Sequence, residues 1–269
     1  MQGDDDWSSR VMRTFKGLVP YITAREDEEP APLIALRARF GPGGRSLLGY
    51  WDEVPEDRDT RGVLWSRCSQ SIGHDRMPVG RPRWRMVHPA RQRETMLRLR
   101  CQVCAGPART PDGRYLFLES GRLEASTRLV WTAQPPVCAD HARAAAEVCP
   151  HLSRSGHVAL LVRAAPLFGV IGTPYQWTST GMRALPADDV PVPYGHPNLG
   201  WFLASQLVRE LRDVETVGLD HPMLTSRTKL DTEPATTVAK PPTPPPPEHT
   251  RPREGGAKGT RPRVTATSG

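Results

Sequence analysis

Two pairs of metal-binding side chains stand out in the middle of the sequence. Cys101 and Cys104 form a C-x-x-C pair, and Cys138 and His141 form a C-x-x-H pair, with 33 residues between the two pairs. Closely spaced cysteines outside an oxidising compartment bind metal more often than they form disulfides. Three thiolates and one imidazole complete a tetrahedral Cys₃His set with no open ligand position, which is typical of structural zinc. The spacing therefore predicts a structural zinc site.

The segments around these pairs indicate how the chain brings them together. Residues 113–119 and 127–133 are predicted strands joined by a glycine-containing turn, and residues 139–148 are a predicted helix. Residues three apart in a first helical turn lie on one face, so Cys138 and His141 can converge on one ion. A cysteine knuckle, a hairpin and a helix in this order predict a treble-clef-like zinc module.

Cys149 and His151 leave a second ligand set open. An unbroken helix would carry Cys149 about 16 Å along the axis from Cys138, at 1.5 Å per residue, which is too far to share an ion. A shorter helix would allow Cys149 or His151 to replace His141. The remaining cysteine, Cys68, is expected to be a lone buried thiol.

Two catalytic uses of zinc do not fit the order of these residues. Zinc nucleobase deaminases carry H-x-E before P-C-x-x-C, whereas here the C-x-x-C pair comes first and no H-x-E precedes it. Nucleases of the His-Asn-His type place a catalytic histidine in the hairpin, and residues 113–133 contain none. A hydrolase or nuclease that uses His74, His88 or His157 around another site stays open as the runner-up.

Basic residues are concentrated immediately before the first cysteine pair. The chain carries a formal net charge of +7, and residues 76–100 hold eight arginines against Glu94 alone, with Trp84 among them. Basic side chains beside an aromatic ring can contact phosphates and bases. The candidate nucleic-acid-binding residues are Arg81, Arg83, Trp84, Arg85, Arg91 and Arg93. The alternative is that this block pairs with the acidic N-terminal third of the chain.

The elements on either side of the zinc module are mostly strands. Residues 32–40 and 46–51 are predicted to form a hairpin around a glycine-rich turn, and residues 62–67 a third strand. Residues 89–100 are predicted to be helical, with Pro89 at the first position. Strands are also predicted at residues 156–165 and 167–171, separated by Pro166.

Residues 199–214 are predicted to form an amphipathic helix capped by Asn198. Leucine recurs every four residues there, at positions 199, 203, 207 and 211, and this spacing keeps side chains on one helical face. The face is expected to pack in the core, because the stripe is too short for a coiled coil.

These elements predict an α+β protein followed by a disordered tail. The final segment, 229–269, holds nine of the 29 prolines and no aromatic residue, so it cannot bury enough apolar surface to order itself. Its run PPTPPPP could serve a protein partner. No stretch is apolar enough to span a bilayer and no secretory signal is visible, so we expect a cytoplasmic protein. The predicted segments are an acidic, poorly ordered N-terminus (1–30), a β-rich region (31–88), the zinc module (89–155), strands and a helix packed on it (156–228), and the tail (229–269).

Several short motifs, taken together, resemble a family of uncharacterised proteins from high-GC actinobacteria. They are VHPARQRETM (87–96), CQVCAGPA (101–108), PPVC (135–138), VCPHL (148–152) and GHVAL (156–160), and the resemblance covers residues 30–220. It implies a shared zinc-site fold and no particular reaction, and a typical C-P-H motif would imply a role for Cys149 or His151. The leading hypothesis is a non-enzymatic, zinc-stabilised binding protein whose partner is nucleic acid, followed by the hydrolase and by an adaptor that uses the tail.

Overall fold

The computed structural model describes residues 17–121 and 130–225, and these residues form a strand-rich α+β arrangement. The strands are β1 (Thr23–Arg25), β2 (Leu36–Phe40), β3 (Ser46–Tyr50), β4 (Leu64–Trp65), β5 (Pro82–Val87), β6 (Tyr115–Ser120), β7 (Val130–Thr132), β8 (His157–Ala164), β9 (Leu167–Thr178), β10 (Gly181–Ala184), β11 (Val192–Pro193) and β12 (Phe202–Val217). The helices are α1 (Pro89–Arg98), α2 (Ala139–Val148), α3 (Pro150–Ser155) and α4 (Pro222–Thr225). The predicted tail, 229–269, lies outside the described residues. None of the described helices is both long and apolar enough to cross a membrane.

The largest sheet is built around β12, which is 16 residues long. Along one edge, β12 pairs antiparallel with β9 and then with β8, and the register continues from Leu203 opposite Thr173 to Val214 opposite Val162. The chain that pairs with this edge of β12 is interrupted at Pro166, between β8 and β9, as predicted. Proline has no N–H to donate to the ladder. On their far edges β8 pairs with β6, and β9 pairs with β10 and β11.

The opposite edge of β12 is shared by two short strands and one side chain. β4 pairs with it in parallel near Leu203, and β7 pairs antiparallel near Arg209. Between them, Leu207 donates its N–H to Oε1 of Gln92 at 2.8 Å and accepts from Nε2 of Gln92 at 2.9 Å. The buried amide of Gln92 thus completes the edge where no strand lies, and it fixes α1 to the sheet.

Helix α1 confirms the prediction for residues 89–100 and has well-defined ends. His88 caps it, accepting a long hydrogen bond from the N–H of Arg91 at 3.5 Å, and Leu99 ends it in the left-handed region with φ of 50°. The buried guanidinium of Arg209 then donates to the carbonyls of Met96 and Leu97, at 2.8 and 3.0 Å. A cation on the last carbonyls opposes the negative end of the helix dipole.

The helix predicted over residues 199–214 is wrong, because this segment is the end of a 3₁₀ turn, Pro197–Trp201, followed by β12. A spacing of four is two full strand periods, so leucines every four residues fit one face of a strand as well as a helix. Asn198 lies inside the turn and caps no helix. Register irregularities then send the leucines to different clusters, Leu207 with Trp65 and Leu211 with Phe117.

The predicted hairpin in the β-rich region is confirmed as β2 and β3, with Leu36 opposite Tyr50. The strand predicted within residues 62–67 is present as the two-residue β4. The segment expected to be poorly ordered, 1–30, contains β1 in its described part, where Ile22 and Ala24 are buried. β1 pairs with β5, so the acidic N-terminal segment lies directly against the basic block.

The hairpin expected inside the zinc module is not found among its described residues, which exclude 122–129. β6 pairs with β8 and β7 pairs with β12, and in the described residues these two strands do not pair with each other. Each strand finds a partner that follows it by tens of residues in the chain, which local sequence patterns do not reveal. The treble-clef expectation is therefore reduced to a cysteine knuckle and a helix at the edge of a larger sheet.

Candidate metal centre

The four predicted ligands come together at the β6 edge of the large sheet. One ligand atom from each of Cys101, Cys104, Cys138 and His141 lies within 4.8 Å of all the others. Cys101 is buried and the other three are partly buried. Four such donors could hold a metal ion, and the chemistry of three thiols and an imidazole suits a soft or borderline cation.

The first pair lies on a tight knuckle closed by backbone hydrogen bonds. The N–H of Cys101 donates to the carbonyl of Gly106 at 2.8 Å, and the N–H of Ala105 donates back to Cys101 at 2.8 Å. Ala105 has φ of 56°, so the chain reverses through a left-handed residue directly after Cys104. The N–H of Val103 also points at Sγ of Cys101, at 3.4 Å, and such a bond stabilises a thiolate.

The second pair lies at the start of α2, as predicted. Cys138 is the N-cap residue, and the N–H of His141 donates to its carbonyl at 3.1 Å. Nδ1 of His141 lies 3.0 Å from Sγ of Cys138, so this ring nitrogen faces the thiols. The positive end of the helix dipole lies beside the same sulfur and favours its thiolate form.

Backbone pairing ties the two ligand pairs to each other and to the N-terminal segment. The N–H of Gln102, between the two knuckle cysteines, donates to the carbonyl of Pro136 at 2.9 Å. The N–H groups of Tyr21 and Ile22 donate to the knuckle carbonyls at 3.0 and 3.3 Å. The carbonyl of Leu116, on β6, accepts from Val137 at 2.8 Å. An ion held here would therefore stabilise the contact of three chain segments.

The centre lies on one side of an apolar cluster that packs α2 on the sheet. Alanines at 142, 145 and 146 face Leu116, Leu118 and Leu161 of β6 and β8. Small side chains on this helical face let α2 approach the sheet closely, and the buried apolar area favours the association. Cys101 belongs to the same cluster, so the metal-binding side chains continue the core.

The thiols interact strongly with one another. A hydrogen bond from the Cys138 thiol, together with backbone N–H groups, lowers the pKa of Cys101 to about 5 in spite of burial. The same bond, burial and the charge of the Cys101 thiolate raise the pKa of Cys138. Burial is also the main reason that the pKa of Cys104 is raised. Because the chain alone favours one thiolate of the three, a cation is needed for all three to ionise.

The alternative ligands lie elsewhere or outside what is described. Cys149 caps the C-terminus of α2, which runs unbroken through Val148, and it is not part of the four-residue group. Cys149 lies eleven residues after Cys138 along this helix, which is about 16 Å of axial rise. His151 lies in α3, but its side chain is outside the described residues. Cys68 is a partly buried free thiol.

The prediction that Arg91 contacts nucleic acid is wrong, because this side chain is buried. Its side chain is 1% exposed, and it forms a two-pronged ion pair with fully buried Glu28 at 2.5 and 2.7 Å. Nη2 of Arg91, which forms one prong of this pair, also donates to the carbonyl of Thr23 at 2.9 Å. Arg25, buried beside it, donates to the same carbonyl at 2.7 Å.

Two further arginines of the block pair with the acidic run at residues 26–29, which includes Glu28. Arg83 contacts Glu29 at 2.9 Å and donates to two backbone carbonyls of the run, at 2.6 and 3.3 Å. Arg81 is 3.8 Å from Glu26, and its side chain is 84% exposed. Arg81 is therefore weakly paired, whereas Arg83 is bound to the N-terminal segment by an ion pair and two hydrogen bonds. The alternative that the basic block pairs with the acidic N-terminal third is confirmed for these contacts.

The remaining candidates differ in exposure. Trp84 is partly buried and Arg85 is exposed on β5. Arg93 lies on α1, with its guanidinium 4.6 Å from the centre of the Trp65 ring. Neither Trp65 nor Glu28 was singled out from the sequence. The acidic run at residues 26–29 was a usable signal for Glu28, because four acidic residues in a row are unusual beside a strand that must pair.

No family model matches the chain, and searches of the curated proteins and of the solved structures found no match. The resemblance to the actinobacterial family therefore stays a prediction. The candidate functional site is therefore the Cys/His group, which lies on the cysteine knuckle and at the start of α2.

Proposed function

We propose that this is a non-enzymatic binding protein whose fold depends on one structural Zn²⁺ ion, held by Cys101, Cys104, Cys138 and His141. The observation that carries the proposal is the mutual proximity of these four donors, within 4.8 Å. Three thiolates and an imidazole satisfy the tetrahedral preference of Zn²⁺, with Zn–S distances of about 2.3 Å and a Zn–N distance of about 2.0 Å. Such a set leaves no position for substrate or water.

The surroundings support a structural role over a catalytic one. The knuckle is bonded to the N-terminal segment and to the segment before α2, so the ion would hold together parts of the chain that are far apart in sequence. The adjoining cluster is apolar. Binding free energy at such a site is folding free energy, because the unfolded chain does not hold the ligands together.

Metal content tests the proposal directly. We expect one zinc per chain in protein purified without added metal, lost in Cys101→Ser and His141→Ala and retained in the matched controls Cys68→Ser and His151→Ala. A wild-type protein without metal would overturn the proposal. Loss of zinc in His151→Ala would show that the ligand set is different.

Nucleic acid remains the proposed partner, on a narrower surface than the sequence indicated. The observation that favours it is the exposure of Arg81, directly before β5, and of Arg85, within β5 next to Trp84. We expect salt-dependent retention on single-stranded nucleic acid, reduced in Arg81→Gln/Arg85→Gln and unchanged in the matched control Arg45→Gln/Arg143→Gln. Equal retention of both double variants would contradict this surface.

The hydrolase alternative loses one of its three histidines. His88 is fully buried, with Nε2 3.0 Å from the carbonyl of Ser69 and Nδ1 facing the N–H of Arg91. Burial lowers the pKa of His88, which keeps the ring neutral. A ring with both nitrogens engaged inside the fold is not available to a substrate.

A further inference from the structure

A cavity of about 550 Å³ lies between the outer face of α1 and the chain segment 56–68, away from the metal ligands. Its volume falls in the range of small-molecule sites, roughly 300–1,000 Å³. One wall is the helical face of Ala90, Arg93 and Leu97, spaced by three and four residues. The other wall includes Trp65 and Arg67.

Most of the charged groups in this cavity are already paired. Arg67 binds both carboxylate oxygens of Asp57, at 2.7 and 2.6 Å, and it also contacts Asp52 at 2.7 Å. Glu94 accepts from the Tyr21 hydroxyl at 2.9 Å and from Arg98 at 3.3 Å. The opposite charges within these pairs offset each other, so these side chains attract an added ligand only weakly.

Arg93 is different. Its guanidinium stacks over Trp65, and its one hydrogen bond among the described residues is a long contact to the carbonyl of Glu56, at 3.4 Å. Among the described residues, no carboxylate lies within 4.0 Å of the Arg93 guanidinium, and its other N–H groups have no protein acceptor. Burial lowers the pKa of Arg93, and the charge of Asp59 partly offsets this effect. Asp59 itself is engaged by Tyr194 and Trp65.

An apolar surface adjoins this cation. Leu97 is 52% exposed although it lines the cavity, and Ala90 is exposed beside it. A planar guanidinium held on an aromatic ring presents a fixed fork of donors, which suits a carboxylate or a phosphate. An organic anion could place its charged group on Arg93 and its apolar body on Leu97.

We propose that this cavity binds a small organic anion, a carboxylate or a phosphate monoester, with Arg93 as the anchor of the anionic group and Leu97 as the contact of the apolar body. The site is separate from the metal centre and does not rest on the proposed nucleic-acid surface. Glu56, exposed next to Arg93, is the carboxylate that opposes the ligand.

The test is a titration of the full chain with four probes: acetate, hexanoate, inorganic phosphate and phenyl phosphate, at constant ionic strength. Binding is followed by the NMR signals of the arginine Nε–H groups and the tryptophan indole N–H groups. We expect saturable binding of hexanoate or phenyl phosphate, and tighter binding of that probe than of acetate or inorganic phosphate. Which of the two binds decides between the carboxylate and the phosphate ester. No saturable binding of any probe up to about 10 mM would overturn the proposal.

Three variants and a control complete the experiment. Arg93→Gln is expected to weaken binding by about tenfold or more, because it removes the charge-assisted hydrogen bonds. Leu97→Asp changes an exposed position and should abolish binding without unfolding the protein, which guards against a misfolded Arg93→Gln. Glu56→Gln should strengthen binding, and the matched control Arg45→Gln should leave it unchanged. Equal affinity in wild type, Arg93→Gln and Leu97→Asp would overturn the proposal.

Discussion

The protein gathers ionisable groups in its interior in two ways, and the two regions differ in where the opposite charge comes from. At the candidate metal centre, three thiols and an imidazole meet, and the group contains no carboxylate. Beside β1, the buried carboxylate of Glu28 meets the buried guanidinium of Arg91. The first region needs a cation from solution, whereas the second carries its own.

This difference has physical consequences for stability. If the four donors hold an ion, as proposed, the thiols ionise only with that ion bound, and the stability of this region depends on metal. A buried ion pair supplied by the chain depends instead on pH and on both partners being present. The two regions also touch, because the segment that leads into β1 donates hydrogen bonds to the cysteine knuckle through Tyr21 and Ile22.

Metal removal is the change with the largest expected effect. We expect a chelator to lower the free energy of unfolding by on the order of 5 kcal/mol or more, since the ligands have no other compensation. Denaturant unfolding with and without chelator measures it. The Cys68→Ser protein serves as the control and should respond to chelator as the wild type does. Identical unfolding curves with and without chelator would contradict the claim that the stability of the first region depends on metal.

Loss of Arg91 should rank second. Arg91→Met leaves the buried Glu28 carboxylate without its ion-pair partner, and we expect a loss of about 3–5 kcal/mol in unfolding free energy. The control Arg98→Met removes an exposed helical pair with Glu94, worth about 0.5 kcal/mol or less.

A double variant tests whether the pair itself is responsible. Glu28→Gln/Arg91→Met should lose at least about 1 kcal/mol less than the two single losses combined, because neither member of the pair is left as a buried charge without the other. Additive losses would mean that the two side chains act independently.

Acid should weaken the ion-pair region. Burial opposes ionisation of Glu28, but hydrogen bonds from Arg91 and from the backbone N–H groups of Arg25 and Ser71 outweigh it and lower the pKa to about 2, from an ordinary 4.5. The stabilisation is therefore complete above pH 4.5 and is lost as the pH falls toward 2, by about 3 kcal/mol in all. Subtracting the pH profile of Glu28→Gln from that of the wild type isolates this contribution. A flat difference between pH 5 and 2 would contradict it.

Glu119 is a carboxyl group whose pKa is shifted in the opposite direction to that of Glu28. We expect a smaller effect on stability from it. Its Oε1 is buried without a hydrogen-bond partner, and burial raises its pKa to about 7, with a hydrogen bond donated by Thr132 opposing the shift. A raised carboxyl pKa means that stability falls as the pH rises from 4.5 to 7. We expect a fall of about 2 kcal/mol, less than the full shift implies because the side chain is partly exposed. Glu119→Gln should remove this slope and be more stable than the wild type at pH 8, as measured by denaturation.

The two halves of the Cys/His group were predictable from the sequence because short-range geometry fixes each of them. A C-x-x-C turn and a C-x-x-H pair in a first helical turn depend only on neighbouring residues, so Cys101 and His141 could be named as members of the group without knowledge of the fold. The same holds for the β2–β3 hairpin, whose glycine-rich turn is local, and for the interruption of the long strand at Pro166.

The pairing of β6, β7 and β12 was not predictable in the same way. Leucines at 203, 207 and 211 satisfy helix and strand periods alike, and the better signal was the run of residues that favour strands, including Phe202, Val208 and Val214. The partners of β6 and β7 are set by long-range pairing, which no local pattern encodes. Buried Arg91 was misread for a related reason, since its partner Glu28 lies 63 residues earlier in the chain.

X-ray absorption at the zinc edge, on protein as purified, tests the central claim most directly. The account predicts four-coordinate zinc with three sulfur ligands at about 2.3 Å and one nitrogen ligand at about 2.0 Å. Four sulfurs would mean that Cys149 replaces His141, and added oxygen ligands would mean an open site. Either result would contradict the closed structural centre formed by Cys101, Cys104, Cys138 and His141.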